Sequence, residues 1–341
     1  MSDTLSEIRD IKTCLVTGAS GFVGSHLSLK LSQAEHVSVK ALLRNPQSPI
    51  ADQLRSAGIN VVPGDITKPD TLDLAMENVD TVFHAAAVLG PAHLSAETYR
   101  SVNAEAVRNM IDTCRNHSSI TRFVHISSVG VLGPVPPKIR ADEGTPPRPK
   151  DIYEITKLDG EEHALTAAKT GFPCVIVRPG WVYGPGDTRT VRLFRMIARR
   201  RFMVIGKADN KQHPVYIDDL IDGIIKAAQI SGIEGRVYHL CGPEILTVNE
   251  LCQSVAETAG VTLLPFRPPV WSVRGPAWMI GKIWSLFNRH PPVDHRKADF
   301  FVVNRAYSIQ RAKNELGWSP KVRFKDGIQQ TMDWYKVRGL L

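Results

Sequence analysis

The stretch YEITK places Tyr153 four residues ahead of Lys157. On a helix that spacing puts both side chains on one face, so a phenol and an ammonium project together into whatever lies above it. A tyrosine ordinarily titrates near about 10, too high for proton exchange at neutral pH, and a nearby ammonium favours the phenolate and lowers that value. The pair could therefore give a proton to a carbonyl oxygen or take one from an alcohol. Tyrosine and lysine also fall at this spacing on solvated helices, so the rest of the chain must decide.

A second candidate lies near the start, where LVTGASGFVGSHL carries Gly18, Gly21 and Gly24. The GxxGxxG spacing is not a P-loop, which needs Gly-Lys-Ser/Thr after its last glycine. Between a strand and a helix, these glycines let the backbone turn sharply and approach a pyrophosphate, whose charge meets the helix N-terminus. Ser20, Phe22 and Val23 share the loop and are read as cofactor contacts with it. The second strand should end at the group that reads the adenosine ribose, where an acid would accept from a free 2′-hydroxyl. Here it ends ALLRNPQS, with Arg44 lying 20 residues after Gly24 and no acid before Asp52. A cation at that place favours NADP(H) over NAD(H), although Arg44 could also stack on the adenine or face solvent. Asp65 and Ile66, in PGDIT, are expected near the adenine edge.

These residues need a scaffold, and the first half of the chain supplies one. TCLVTG, VSVKALL, INVVPGD, DTVFHAAA, RFVHISS and PCVIVRPG read as short apolar strands separated by helical patterns, among them the YEITK helix. Alternating β and α with continuously apolar strands predicts an α/β fold, a doubly wound parallel sheet covered on both faces. After Gly180 the rhythm breaks, and RVYHLCG at Arg236 to Gly242 reverts to the sheet pattern. The boundaries expected are a nucleotide-binding domain over 1–180 with about 206–242, and a smaller substrate-binding region built from insertions at about 181–205 and 243–341.

With 43% hydrophobic and 22% charged residues over 341 positions, the chain has ordinary globular composition. Its five cysteines form no CxxC pair or His/Cys cluster, which predicts buried thiols in a reducing compartment and no metal site. The N-terminus carries acidic residues and no apolar h-region, and no apolar run reaches the roughly 18 to 20 residues of a spanning helix; a cytoplasmic protein is expected. A net charge of +8 and a pI of about 9.3 favour anionic partners. The densest basic run, TRTVRLFRMIARRR, interleaves its arginines with apolar residues at helical spacing. It reads as an amphipathic helix with a solvated basic face, and no nucleic-acid partner is expected.

Taken together, TGASGFVG, GDIT, VFHAAA, SVNAEAVRNM, HISSVGVLG, YEITK, RPGWVYGPGD and HPVYIDDL resemble the extended branch of the short-chain dehydrogenase/reductase superfamily. They keep its order and spacing from about residue 12 to 242, roughly two-thirds of the chain. The resemblance implies a Rossmann-type sheet, with Tyr153 as catalytic acid/base, Lys157 as its partner and a serine as third member. Ser128, five residues before Gly133, fits better than Ser127. It also implies that Lys157 holds the nicotinamide ribose, that Asn103, Ala85 and Ala86 line the cofactor groove, and that Pro179 and Gly180 pass beside the nicotinamide. His84 is expected on the cofactor wall, and His125 and His239 in the core.

Within that branch, a hydroxyl dehydrogenase or ketoreductase of lipid or sterol type competes with a nucleotide-sugar epimerase or dehydratase. Epimerases carry an Arg-Asp pair before the VYIDDL segment, and here Gln212, His213 and Pro214 stand there. Dehydratases want acidic residues directly after the catalytic serine, and SSVGVLG has none. A non-catalytic NADP-binding module would have lost the tyrosine or the lysine, and both remain. The segment from Trp278 to Phe287, with Met279, Ile283 and Trp284, is apolar around most of a helix. Such a helix must be covered by protein, by an apolar ligand or by a lipid surface. The expected partner is a hydrophobic small molecule; a peripheral membrane contact and a homodimer are both open to this chain.

Overall fold

The computed structural model describes residues 10–89, 94–272 and 300–341. The apolar segment from Trp278 to Phe287 lies outside these residues. Six strands of the first half, β1 (Thr13–Thr17), β2 (Ser38–Leu43), β3 (Asn60–Pro63), β4 (Thr81–His84), β5 (Arg122–Ile126) and β6 (Cys174–Pro179), join one parallel sheet. Two short strands, β7 (Trp181–Tyr183) and β9 (Pro214–Tyr216), pair in parallel outside it, while β8 (Lys211–Gln212) pairs antiparallel with β11 (Leu246–Thr247). The seventh strand of the main sheet is β10 (Val237–Leu240), which returns to lie beside β6, giving the order β10-β6-β5-β4-β1-β2-β3.

Side-chain alternation explains why these strands are apolar throughout. Successive residues point to opposite faces, and both faces are covered. Cys14, Val16, Phe83, Val124 and Val177 enter the core on one side, packed with Leu27 of α1 (Phe22–Leu31) and Leu220 and Ile224 of α8 (Ile217–Gln229). Leu15, Val82, Phe123 and Ile176 enter the other, against Val107 and Met110 of α5 (Ala106–Arg115) and Ala164 of α6 (Ile152–Lys169). Each such side chain taken from water contributes about 1.5–3 kcal/mol. The helix α6 carries Tyr153 and Lys157, and it can lie close to the preceding helical layer because residue 160 is glycine. A Cβ there would sit 2.1 Å from the Asn103 carbonyl.

The basic run forms α7 (Val191–Ala198), which buries Val191, Phe194 and Ile197 and leaves Arg192 exposed. Arg195 instead turns to the C-terminus, its Nε donating to the Leu340 carbonyl at 2.6 Å. Two C-terminal helices, Gln310–Leu316 and Phe324–Val337, close the molecule around the buried Trp318, whose indole donates to the Asp219 carbonyl at 2.9 Å. Among the described residues, no helix is long and apolar enough to cross a membrane.

Candidate active site

The strand order reverses between β1 and β4, and the crevice outside their carboxyl ends is where open α/β sheets bind ligands. The glycine loop fills that place. Gly18 has φ +68°, and a Cβ on it would sit 2.7 Å from Ala86 Cα; one on Gly24 would sit 2.2 Å from the Gly18 carbonyl. Any side chain at either position would collide with backbone. The helix α1 then starts with no side-chain cap and no acidic residue in its first turn. Its first N–H groups are left for an anion, so the loop fits a dinucleotide pyrophosphate.

Two cavities flank this loop. The smaller, of about 170 Å³, lies at the adenosine end, where Ser20, Arg44, Asp65, Ile66, Ala85 and Ala86 all contribute to its lining. Burial pushes the Asp65 carboxyl up, but the Thr67 N–H and hydroxyl, at 3.0 and 2.8 Å, together with the Arg44 and Lys68 charges, hold it below its ordinary value. Arg44 is exposed at the mouth of the same cavity. The larger cavity, of about 550 Å³, runs from Phe22 and Val23 past Ser128, Tyr153, Lys157 and Pro179 to Trp181, Phe300 and Arg305. Here the Arg189 guanidinium lies 5.5 Å over the Phe22 ring and is held by Asp187 at 2.9 Å.

The two serines differ in their surroundings. Ser127 is buried and donates to Glu161 at 2.6 Å, and Glu161 is in turn ion-paired with Arg178 inside the protein. Its hydroxyl is committed to that network. Ser128 faces the cavity, accepts the Gly130 N–H at 3.0 Å, and stands close enough to Tyr153 to pull the phenol downward. Its hydroxyl is placed to serve an oxygen held above the tyrosine. Asp151 caps α6 by accepting from the Glu154 N–H at 2.8 Å, which fixes the first turn on which Tyr153 sits.

The electrostatics differ from the expectation drawn from spacing. Tyr153 is raised above its ordinary value by burial, with Ser128 and Arg189 pulling against it, and Lys157 does not reverse the shift. The lysine is engaged by the backbone: its Nζ donates to the Ile126 carbonyl at 2.7 Å. Burial lowers Lys157 to about 8, opposed by the Glu161 charge. The phenol therefore rests protonated, as a proton donor to a carbonyl oxygen requires.

Two further expectations need correction. His84 is not on the cofactor wall. It is wholly buried, its Nδ1 is 3.0 Å from Thr17 Oγ1, its ring stacks on His125 at 5.7 Å, and burial beside Lys157 lowers it to about 3. Asn103 does not line the groove directly either. It sits buried in a π-helical turn, Ser101–Glu105, where its side chain accepts from the Val88 N–H at 2.7 Å and donates to the Val88 carbonyl at 3.1 Å and to Thr156 at 3.2 Å. It clamps the loop after β4 to α6. Glu154 and Trp181 lie inside motifs that gave them no role, and Arg189, Phe300 and Arg305 join the site from outside every motif.

A glycine loop at the switch point of a doubly wound sheet, leading to Ser128, Tyr153 and Lys157 around one cavity, defines a nicotinamide-dependent oxidoreductase of the short-chain type. The family model for the NAD dependent epimerase/dehydratase family matches residues 14–241, and the chain belongs to that family, the extended short-chain dehydrogenases. It is 27% identical over 318 residues to a 4-hydroxy-2-methyl-3-oxo-4-farnesyl-3,4-dihydroquinoline-1-oxide ketoreductase of Stigmatella aurantiaca, covering 92% of this chain and 93% of the relative. A 3-beta-hydroxysteroid dehydrogenase of Mycolicibacterium neoaurum is 28% identical over 345 residues, covering 96% and 92%. In fold it also matches a UDP-glucuronic acid 4-epimerase from Bacillus cereus, solved with UDP-glucuronic acid and NAD, at TM-score 0.76 and 24% identity over 96% of this chain and 99% of that one.

Proposed function

We propose that the chain is a ketoreductase or hydroxyl dehydrogenase, favouring NADP(H), for the ketone or secondary alcohol of a hydrophobic molecule of sterol, flavonoid or lipid type. The observation that carries this reading is Gln212. It stands where a sugar-nucleotide epimerase would present arginine, and its amide is spent on the backbone carbonyls of Phe300 at 3.4 Å and Val303 at 3.2 Å. The neighbouring His213 is likewise tied to the Gly242 carbonyl at 2.8 Å and lowered by burial to about 4. Neither residue offers a diphosphate a charge. Beyond Tyr153 the cavity is walled by Trp181, Val182, Phe300 and Leu89, surfaces that favour an apolar body. The relatives named as a ketoreductase and a hydroxysteroid dehydrogenase support the same class.

The nicotinamide, held by the loop and the Tyr153–Lys157 face, would supply or accept the hydride. Ser128 and Tyr153 would hold the substrate oxygen, Tyr153 giving it a proton as it becomes an alcohol. The test is to incubate the protein with each nicotinamide cofactor and a panel of sterols, flavonoid-like alcohols, long-chain β-hydroxy acids and UDP-sugars, following absorbance of the reduced cofactor. Oxidation of one or more apolar alcohols is expected. UDP-sugar interconversion with indifference to every apolar substrate would replace this reading with the epimerase one.

Cofactor choice is tested separately at Arg44, which reaches the adenosine cavity beside Asp65. In Arg44→Asp a second carboxylate would repel a 2′-phosphate and accept from a 2′-hydroxyl. The ratio of NADP(H) to NAD(H) affinity is expected to fall by at least about tenfold, the loss of one charge-assisted contact. Dissociation constants for both cofactors settle it, and wild-type protein binding NAD(H) more tightly would refute the preference.

A further inference from the structure

The apolar pocket beyond Tyr153 holds a guanidinium for which the reaction described so far has no use. Arg305 lines the cavity with its side chain 29% exposed, and its position is built from both ends. Its backbone N–H donates to the Lys211 carbonyl at 2.7 Å. The preceding Asn304 accepts from the Lys211 N–H at 2.9 Å and donates to the Val135 carbonyl at 3.1 Å, tying three distant segments together at this point. At the other end, Nη2 donates to Glu154 Oε1 at 2.7 Å, and Glu154 follows Tyr153 directly. Glu154 is itself held by the Lys150 N–H at 2.9 Å.

The arginine is thus fastened through Glu154 to the first turn of the helix that carries Tyr153. A single point, the place of a Cβ on Gly130, lies 3.1 Å from Ser128 Oγ and 3.6 Å from Glu154 Oε1, so the catalytic serine and the arginine's partner stand within a few bonds' reach of each other. A guanidinium has five N–H donors; the pair with Glu154 uses one, and the Tyr307 hydroxyl lies beside the group as well. Those partners leave N–H donors over for an acceptor that enters the cavity.

We infer that Arg305 anchors a carboxylate of the substrate, which makes the substrate an oxo acid, or the matching hydroxy acid, with its acid group a few bonds from the reacting carbon. This rests on the reductase reading above and narrows its substrate class. The planar fork suits a carboxylate in two-point contact. Because Glu154 offsets part of the charge, the site suits a singly charged acid better than a doubly charged phosphate. The apolar walls then take the chain or ring that the acid carries.

The experiment compares 3-oxodecanoate with its methyl ester as substrates of the cofactor-loaded enzyme, in wild type, Arg305→Lys and Arg305→Met. In wild type, kcat/KM for the acid should exceed that for the ester by at least about tenfold, the worth of a charge-assisted pair. Arg305→Met should erase that preference through KM, and Arg305→Lys should keep part of it. An equal loss for acid and ester in Arg305→Met would mean that the arginine only braces Glu154, and the inference would fall. A second readout needs no turnover: binding of decanoate and methyl decanoate to protein loaded with oxidised cofactor. Wild type should prefer decanoate and Arg305→Met should not; a wild type without preference overturns the anchor even if ketones are reduced. Should decanoate be preferred while no ketone of any kind is reduced, the anchor stands and the reductase reading fails.

Discussion

Tyr153→Phe is expected to bind cofactor almost as wild type does and to turn over at least about a hundredfold more slowly, the usual worth of a positioned acid/base. The substitution removes one hydroxyl and keeps the ring, so α6 retains its Asp151 cap and the packing of Gly160 on Asn103. What is lost is the proton that burial keeps on the phenol. Cofactor titration and single-turnover kinetics on the same preparation separate the two effects. A variant retaining most of the wild-type rate would remove Tyr153 from the chemistry.

Lys157→Met should damage turnover and cofactor affinity together, each at least about tenfold, because a single ammonium on the groove floor serves both. It should also change how stability depends on pH. Burial holds Lys157 near about 8 in the folded chain, against 10.5 for the free side chain, so between those values the unfolded chain binds the proton and the folded chain does not. Wild-type stability therefore gains from this group as pH rises from 8 toward 10.5 and carries the full burden of the buried charge below 8. The gain is on the order of 3 kcal/mol, at about 1.4 kcal/mol for each unit. Urea melts of both proteins at pH 7 and pH 10 should show it as a difference in slope with pH, present in wild type and absent in Lys157→Met. Parallel pH profiles would mean that the buried ammonium is not strained as described.

Much of the site could be read from local sequence because its chemistry is local. The glycine loop lies on one turn, and Tyr153 and Lys157 lie on one helix face, so spacing alone brings each set together. The alternation of apolar strands and helices likewise foretold the doubly wound sheet. Ser127 and Ser128 differ only in which way a strand end points, and the choice needed Glu161 and Arg178 to claim the first. His84 misled because an imidazole at a strand end looks available until His125 and Thr17 are stacked and bonded against it. Arg305 stands 152 positions beyond Tyr153, and only the tying of Asn304 to Lys211 and Val135 carries it to the pocket. No periodicity records such a meeting. The lowering of the phenol expected from the lysine is absent, and the spacing gives the face but not the Ile126 carbonyl that engages the ammonium.

The position of β10 governs the order in which the chain can become a stable body. Six consecutive buried residues of β6 have one neighbour in β5, and the other neighbour arrives only with Val237–Leu240, after Trp181 to Tyr216 and the whole of α8 have been synthesised. Until then β6 is an apolar edge with unpaired N–H and carbonyl groups, a template for another chain. Pairing across so long a separation is slow, since loop closure precedes any contact that rewards it. A nascent chain halted before Val237 therefore carries that open edge, and is expected to self-associate more readily than one that has passed Leu240.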